Sequence, residues 1–272
     1  MARQMSRGEL GGLFRDGMTV GIGGWGSRRK PMALVRELVR SGVRDLTVVS
    51  FGGPDVGILC ATGQAAHVVH GFVSLDSIPI DPHFAAARRA GAVTTTELDE
   101  AMLVAGLRAA SRRLPFEVLR NGIGSDAVTF NPGIHTIVSP YDDGETLVAM
   151  PSIPLDLALL HVERADAGGN AQCLGPDPFF DELMARAATT TVVSAERIVS
   201  TEELAQQHPS TLILNRSETD HVVEAPGGAG FTAFVPEYPR DDVAQRAYAD
   251  AARSPEAWET FLAGFLGEET PA

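Results

Sequence analysis

Residues 16–42, DGMTVGIGGWGSRRKPMALVRELVRSG, contain the pattern that decides the fold. The short apolar run MTVGI predicts a strand, and the glycines that follow it predict a tight turn. Pro31 then stands at the start of a segment with helical spacing, which Gly42 ends. The stretch therefore predicts a strand, a glycine-rich loop and a helix in succession.

The same alternation continues along the chain. Further strands are predicted in LTVVSFGG, HVVHGFVSL, AVTTTEL, LDLALLHV and TTTVVSAERIV. Helices are predicted in LDEAMLVAGLRAASRR, PFFDELMARAA, DDVAQRAYADAAR and PEAWETFLAGFLG, and a β-hairpin is predicted across Asp143-Gly144. Alternation of this kind predicts an α/β fold with an open, mainly parallel sheet and helices on both faces. Because no internal repeat or long linker divides the sequence, residues 1–272 are expected to form a single domain.

The composition narrows the class of protein. The formal net charge is −13, which argues against nucleic acid as a partner. The apolar runs are far too short to cross a bilayer and no charged-then-apolar leader opens the chain, so no membrane association is expected. Cys60 and Cys173 do not make a disulfide framework, which favours a cytoplasmic location. His67 and His70 point to opposite faces of a predicted strand, so no metal site is expected.

The loop between the first strand and the first helix concentrates positive charge on this acidic chain. Residues 23–30, called the glycine–cation loop below, include the one lysine among the 22 Lys and Arg residues. Backbone N–H groups and cations at a helix N-terminus bind phosphate or carboxylate groups. The loop is therefore predicted to bind a small anionic ligand through Gly23, Gly24, Trp25, Ser27, Arg28, Arg29 and Lys30.

Two other interpretations of this loop remain. Gly21, Gly23 and Gly26 fit the dinucleotide fingerprint G-x-G-x-x-G. Against a nicotinamide cofactor, the segment SRRK separates the third glycine from Pro31, and the second predicted strand does not end in an acid. A tight turn with solvated cations is the structural alternative.

Two more glycine turns are candidates for the site. Gly52 and Gly53 end the second predicted strand, and in open α/β sheets ligands bind at the carboxyl ends of the strands. The turn RNGIGSDAV, residues 120–128, carries the candidates Asn121, Gly124, Ser125 and Asp126. This turn is either a loop that contacts the substrate or an ordinary polar turn.

The opening stretch resembles the N-terminal signature of the class I coenzyme A transferases. That signature has an Asp-Gly strand, then Gly-Gly-Phe, three residues, a glycine, one residue and a proline. The corresponding positions hold Asp16, Gly17, Gly23, Gly24 and Pro31. Trp25 replaces the phenylalanine and Arg29 replaces the later glycine. The segments LVAMPSIPLDLALLHVERADAGGNAQ and VVEAPGGAGFTAF are similar to later parts of the family, so the resemblance spans most of the chain.

The resemblance is strongest to alpha subunits of the glutaconate-transferase branch, and within it to ring-opening hydrolases of cholesterol catabolism. It implies a coenzyme A transferase-like fold, a beta subunit as partner in an α2β2 heterotetramer, and an acyl-CoA substrate, with no separate cofactor. For a hydrolase of this branch it implies C–C bond cleavage in the last steroid-derived ring of a 6-oxocyclohexene-carboxyl-CoA ester.

Two other functions remain open. A true coenzyme A transferase of this family carries its nucleophilic glutamate in a Ser-Glu-Asn-Gly motif of the beta half, and this chain has no such motif. A non-catalytic acyl-CoA-binding module on the same fold is the third function.

The resemblance also concerns the catalytic carboxylate. It implies a catalytic glutamate at the position of Ala105 in the helix LDEAMLVAGLRAAS, which would make this chain an inactivated variant. Glu97, Asp99 and Glu100 at the start of that helix are interpreted as acids that complement the helix dipole. Asp126 is the alternative candidate for the general base that activates water.

Overall fold

The predicted alternation of strands and helices is present in the computed structural model, which describes residues 2–141 and 143–267. The strands are β1 (Arg3–Gln4), β2 (Thr19–Ile22), β3 (Leu46–Gly52), β4 (Ala65–Val73), β5 (Thr94–Glu97), β6 (Phe116–Leu119), β7 (His135–Val138), β8 (Thr146–Pro151), β9 (Leu155–Asp166), β10 (Ala171–Gln172), β11 (Ala188–Val199), β12 (Leu212–Leu214) and β13 (His221–Glu224). The α-helices are α1 (Met32–Ser41), α2 (Pro54–Ala61), α3 (Pro82–Arg89), α4 (Glu100–Ser111), α5 (Asp126–Thr129), α6 (Asp181–Ala187), α7 (Thr201–Leu204), α8 (Asp242–Asp250) and α9 (Pro255–Gly267).

The large sheet is parallel along its main path, which runs β1-β13-β11-β9-β2-β3-β4-β5. The short β10 pairs antiparallel with β9 and with β12. Successive residues of β9 point into two different apolar clusters: Leu157 and Leu159 into one, Ala158 and Leu160 into the other. Helix α1 packs into the first cluster and α4 into the second. The mainly parallel sheet with helices on both faces is therefore confirmed.

Local sequence signals explain the first β-α unit. Helix α1 starts directly after Pro31, and Gly42 ends it with a φ of 69°, a left-handed conformation that glycine adopts without strain.

The predicted hairpin is also present, with Val138 of β7 opposite Thr146 of β8. Asp142, in the connection between them, lies outside the described residues. Strand β6 joins this hairpin to form a small antiparallel sheet.

Several short elements have no periodic pattern of apolar residues from which they could be predicted. Helix α2, with the sequence PDVGILCA, is buried almost throughout and so lacks a polar face. Strand β13 has four residues, and β10 has two. None of the described helices is long and apolar enough to span a bilayer. The single domain expected over residues 1–272 stays a prediction.

A buried carboxylate ties the C-terminal helices to the sheet. The Asp81 side chain accepts a hydrogen bond from the Phe84 N–H at 2.9 Å and so caps α3. It also accepts a hydrogen bond from the Tyr248 hydroxyl of α8 at 2.6 Å. Both side chains are fully buried. Burial raises the pKa of Asp81 to about 7, although the Tyr248 hydroxyl opposes this rise.

Asp81→Asn should remove a pH-dependent part of the stability. Because the folded-state pKa of Asp81 lies above the ordinary 3.8, the folded chain binds an extra proton between about pH 4 and pH 7. The free energy of unfolding of the parent should therefore fall, relative to that of Asp81→Asn, as the pH rises through this window. Urea unfolding at several pH values measures the difference. Asp45→Asn at an exposed position is the control, and parallel profiles for the parent and Asp81→Asn would contradict the prediction.

Candidate active site

The glycine–cation loop is closed by hydrogen bonds within the chain. The Gly24 N–H donates to the Asp181 carboxylate at 3.0 Å, and the Gly26 N–H donates to the Phe51 carbonyl at 2.9 Å. Each backbone N–H from Gly23 to Lys30 has an acceptor of this kind. A backbone cradle for an anion needs free N–H groups. The hydrogen bonds therefore favour a structural role for the backbone of this loop, and its contact with a ligand stays a prediction.

Two of the three cations of the loop form ion pairs within the chain. The Lys30 ammonium is fully buried, 2.8 Å from the Ser50 hydroxyl and 3.2 Å from the Asp55 carboxylate. Burial lowers the pKa of Lys30, and Asp55 opposes that shift. Arg29 is 3.0 Å from Asp181 and 4% exposed. Neither cation reaches the surface of this chain, which favours a structural role for both, and their contact with an anionic ligand stays a prediction.

Arg28 is the cation of the loop that reaches the surface. Its guanidinium lies 4.6 Å from the centre of the Trp25 ring and 5.4 Å from that of Phe179. Two carboxylates flank it, Asp76 at 3.6 Å and Asp177 at 3.7 Å. The cavity beside it has a volume of about 40 Å³, which is room for water but not for an acyl-CoA.

The neighbouring polar and glycine candidates have packing roles. The Ser27 side chain is fully buried and contacts the Gln245 side chain. A Cβ atom at Gly53 would lie 1.8 Å from the Gly26 carbonyl oxygen, and one at Gly52 would lie 2.4 Å from the Phe72 oxygen. Gly52 and Gly53 thus allow β3, β4 and the loop to approach closely. Their expected role in binding substrate stays a prediction.

A larger cleft lies beside the carboxyl ends of β4 and β5. Its volume is about 690 Å³. Its lining residues are Gly71, Arg88, Thr95, Glu97, Leu98, Asp99, Gly122, Ser125, Asp126, Ala127, Phe130 and Asn131. The turn at residues 120–128 thus brings Ser125 and Asp126 to the cleft, whereas Asn121 and Gly124 are not among its lining residues. This position agrees with the rule that ligands bind at the carboxyl ends of parallel strands.

The carboxylates at the start of α4 differ in their contacts. Glu97 forms an ion pair with Arg88, and Asp99 accepts a hydrogen bond from the Met102 N–H as the cap of α4. Glu100 is exposed and, in the described part of the chain, its carboxylate has no hydrogen bond or ion pair. It packs against Gly71, where an added Cβ would lie 3.4 Å from the Glu100 Cγ atom. From the sequence alone, Glu100 is expected only to complement the helix dipole.

Ala105 does not lie at the cleft. It is 1% exposed and packs in the second apolar cluster, with Met102 and Leu107 of the same helix. A glutamate at this position would bury a carboxylate among apolar side chains, which is strongly unfavourable. The hypothesis that this chain is an inactivated variant lacking a catalytic glutamate at position 105 is not supported.

The remaining titratable candidates give no sign of a metal or redox centre. No group of three or more His, Cys, Asp or Glu side chains suited to a metal ion occurs among residues 2–141 and 143–267. His70 is buried, and burial lowers its pKa to about 4. Burial also raises the pKa of Cys173 to about 11 and that of Cys60 to about 12. The thiols are therefore held in their neutral form.

Known proteins are similar to this chain in sequence and in fold. Residues 9–225 match the family model described as Coenzyme A transferase. Over 271 residues the chain is 52% identical to the cholesterol ring-cleaving hydrolase IpdA subunit of Rhodococcus jostii (strain RHA1), covering 97% of this chain and 92% of that one.

Two solved structures are also similar. That of glutaconate coenzyme A-transferase from Acidaminococcus fermentans has a TM-score of 0.90 at 23% identity, covering 98% of this chain and 90% of that one. That of the decarboxylase AibA/AibB has a TM-score of 0.87 at 32% identity, covering 98% and 99%. The first similarity shows the fold alone, and it agrees with the fold that the resemblance implied.

Lys30→Met should destabilise the fold. The substitution leaves the Asp55 carboxylate buried without its cation, which typically costs about 3–5 kcal/mol. Urea unfolding measures this loss. Arg28→Gln, at the partly exposed arginine of the same loop, is the matched control and should change the free energy of unfolding by no more than about 1 kcal/mol.

A second variant tests the cause of the loss. Lys30→Met combined with Asp55→Asn should recover part of the stability, because a neutral amide needs no cation. If Lys30→Met unfolds at the same urea concentration as the parent and weakens binding of a CoA ester, Lys30 faces the ligand after all.

Proposed function

The chain belongs to the coenzyme A transferase family, and from this premise we propose that it is the alpha-type subunit of a cholesterol ring-cleaving hydrolase. The observation that supports the proposal is the 52% identity to the Rhodococcus jostii subunit along nearly the whole of both chains. The site agrees with it, because a cleft of about 690 Å³ with several carboxylates lies at the carboxyl edge of the sheet.

A partner subunit is part of the proposal. The relative is described as a subunit, which implies that a second chain completes the enzyme. We propose an α2β2 heterotetramer, as the family resemblance implies. The cytoplasmic location expected from the cysteine content stays a prediction.

The proposed substrate is a cyclic CoA ester of the 6-oxocyclohexene-carboxyl type, which, as the family resemblance implies, also carries a free carboxylate. Hydrolytic opening of the ring breaks one ring C–C bond and adds the elements of one water to the two carbons that this bond joined. A general base that removes a proton from water is the minimum that a protein must supply.

We propose Glu100 as this base. Asp99 caps α4, and Glu97 pairs with Arg88 when the cleft is empty, which leaves Glu100 and Asp126 as the carboxylates without contacts beside the cleft, among the residues described. Asp126 lines the cleft, and Glu100 lies against the lining residue Gly71. Glu100 begins α4, whose apolar face is buried in the core, and it lies against β4. Asp126 begins the four-residue α5, which has no buried residue. A rigid element holds a catalytic group more accurately than a short exposed turn.

The assembled enzyme should open the ring by adding water. We expect the chain co-expressed with its partner subunit to convert the ring-bearing CoA ester into a product heavier by one water, detected by mass spectrometry. The chain alone should give no turnover, because it supplies only one of the two subunits. Transfer of CoA to an acceptor acid would indicate a true transferase, and release of CO₂ would indicate a decarboxylase. Either result would refute the hydrolase.

Glu100→Gln should lower kcat of the assembled enzyme by about 10²- to 10⁴-fold, because a general base contributes about this much to rate. The substitution is nearly isosteric at an exposed position, so the melting temperature should be unchanged. Asp126→Asn is the matched control and should retain kcat within about tenfold, well short of the loss of a base. Loss of turnover in Asp126→Asn with activity retained in Glu100→Gln would reverse the assignment.

A further inference from the structure

The cleft has an unequal distribution of charge. Among its lining residues Glu97, Asp99 and Asp126 are acidic, and Arg88 is the one permanent cation. His70 lies close enough to Arg88 and Glu97 for their charges to affect its pKa, but burial lowers that pKa to about 4 and keeps the ring neutral. A negatively charged substrate that enters this cleft therefore meets Arg88 as its only permanent counter-charge.

The contact that holds Arg88 is weak. Its Nη2 atom lies 3.1 Å from Glu97 Oε2, and the two side chains are 51% and 58% exposed. Exposed ion pairs of this kind contribute little to stability, so a ligand can replace one partner at little cost. In the described chain this is the one ion pair of Arg88, and it uses a single guanidinium nitrogen. The other donors stay available for a planar oxygen group.

The position of Arg88 is nevertheless fixed. It lies in the last turn of α3, and Glu97 is the last residue of β5, the edge strand of the sheet. Asp81 caps the start of the same helix, and Phe84 packs in the core. The backbone of α3 is thus anchored while the Arg88 side chain stays at the surface of the cleft.

We propose that Arg88 determines specificity by binding a negatively charged oxygen group of the substrate, and that Glu97 occupies the guanidinium when the cleft is empty. The proposal rests on the hydrolase function proposed above. The oxygen group is either a carboxylate on the acyl portion or a phosphate of the CoA portion, and both offer the same charge-assisted hydrogen bonds.

The test compares Arg88→Gln with Arg89→Gln in the assembled enzyme. Arg89 is the next residue of α3, is equally a surface arginine, and does not line the cleft. Loss of one charge-assisted contact should raise KM for the ring-bearing ester about 10- to 100-fold in Arg88→Gln, with a smaller change in kcat. Arg88→Lys should restore part of the loss. Arg89→Gln should retain the KM of the parent, and an equal KM in both glutamine variants would overturn the proposal.

Altered substrates identify the oxygen group. If Arg88 binds the carboxylate, the parent and Arg88→Gln should have equal kcat/KM for an ester whose free carboxylate is converted to an amide. If it binds a phosphate, they should become equal for the pantetheine thioester of the same ring, which lacks the CoA phosphates. A difference between the two enzymes that persists with both altered substrates would overturn the proposal.

Glu97→Gln separates binding from a structural role. Removing the competing carboxylate should lower KM several-fold, whereas a purely structural ion pair predicts no gain in affinity. An unchanged or raised KM in Glu97→Gln would contradict the exchange of partners. Calorimetric binding of the ring-bearing ester by the same variants does not depend on turnover. If the parent binds the ester without hydrolysing it, the proposed function fails while the role of Arg88 is still decided.

Discussion

The buried ion pair between Lys30 and Asp55 is the contact on which the arrangement at the carboxyl ends of β2 and β3 depends. Lys30 lies at the end of the loop that follows β2, and Asp55 lies in the first turn of α2. The same ammonium contacts Ser50 of β3. A second buried ion pair, between Arg29 and Asp181, joins the loop to the first turn of α6. Both carboxylates stand where the helix dipole favours negative charge, so loop, strand and helices are mutually stabilised.

The pairing of these cations with carboxylates of the fold determines which cation a ligand can bind. Because Lys30 and Arg29 neutralise carboxylates of the fold, neither is left to neutralise a substrate. The cleft beside α4 is lined by acids and a single arginine, held by an exposed partner. The most conspicuous basic segment of the sequence thus stabilises the structure, and a less conspicuous arginine faces the cleft.

The sequence predicts the architecture well, because long elements carry periodic patterns and the glycines mark the strand ends. It does not predict that Lys30 and Arg29 are buried in ion pairs. Their burial is decided by Asp55 and Asp181, which are distant in sequence, and no local pattern pairs them with the loop. The acids at the start of α4 show a related limit of prediction from sequence. A capping acid, an acid that complements the helix dipole and a general base look alike in the sequence of a helix start.

The position of Ala105, by contrast, follows from helical periodicity. Met102, Ala105 and Ala109 recur along α4 at spacings of three and four residues, and all three are buried. A carboxylate at position 105 would therefore be buried among apolar side chains. Glu100 is exposed at the helix start. A Glu100 carboxylate in the proposed role would repel a negatively charged oxygen group, which is a further reason to place that group of the substrate towards Arg88.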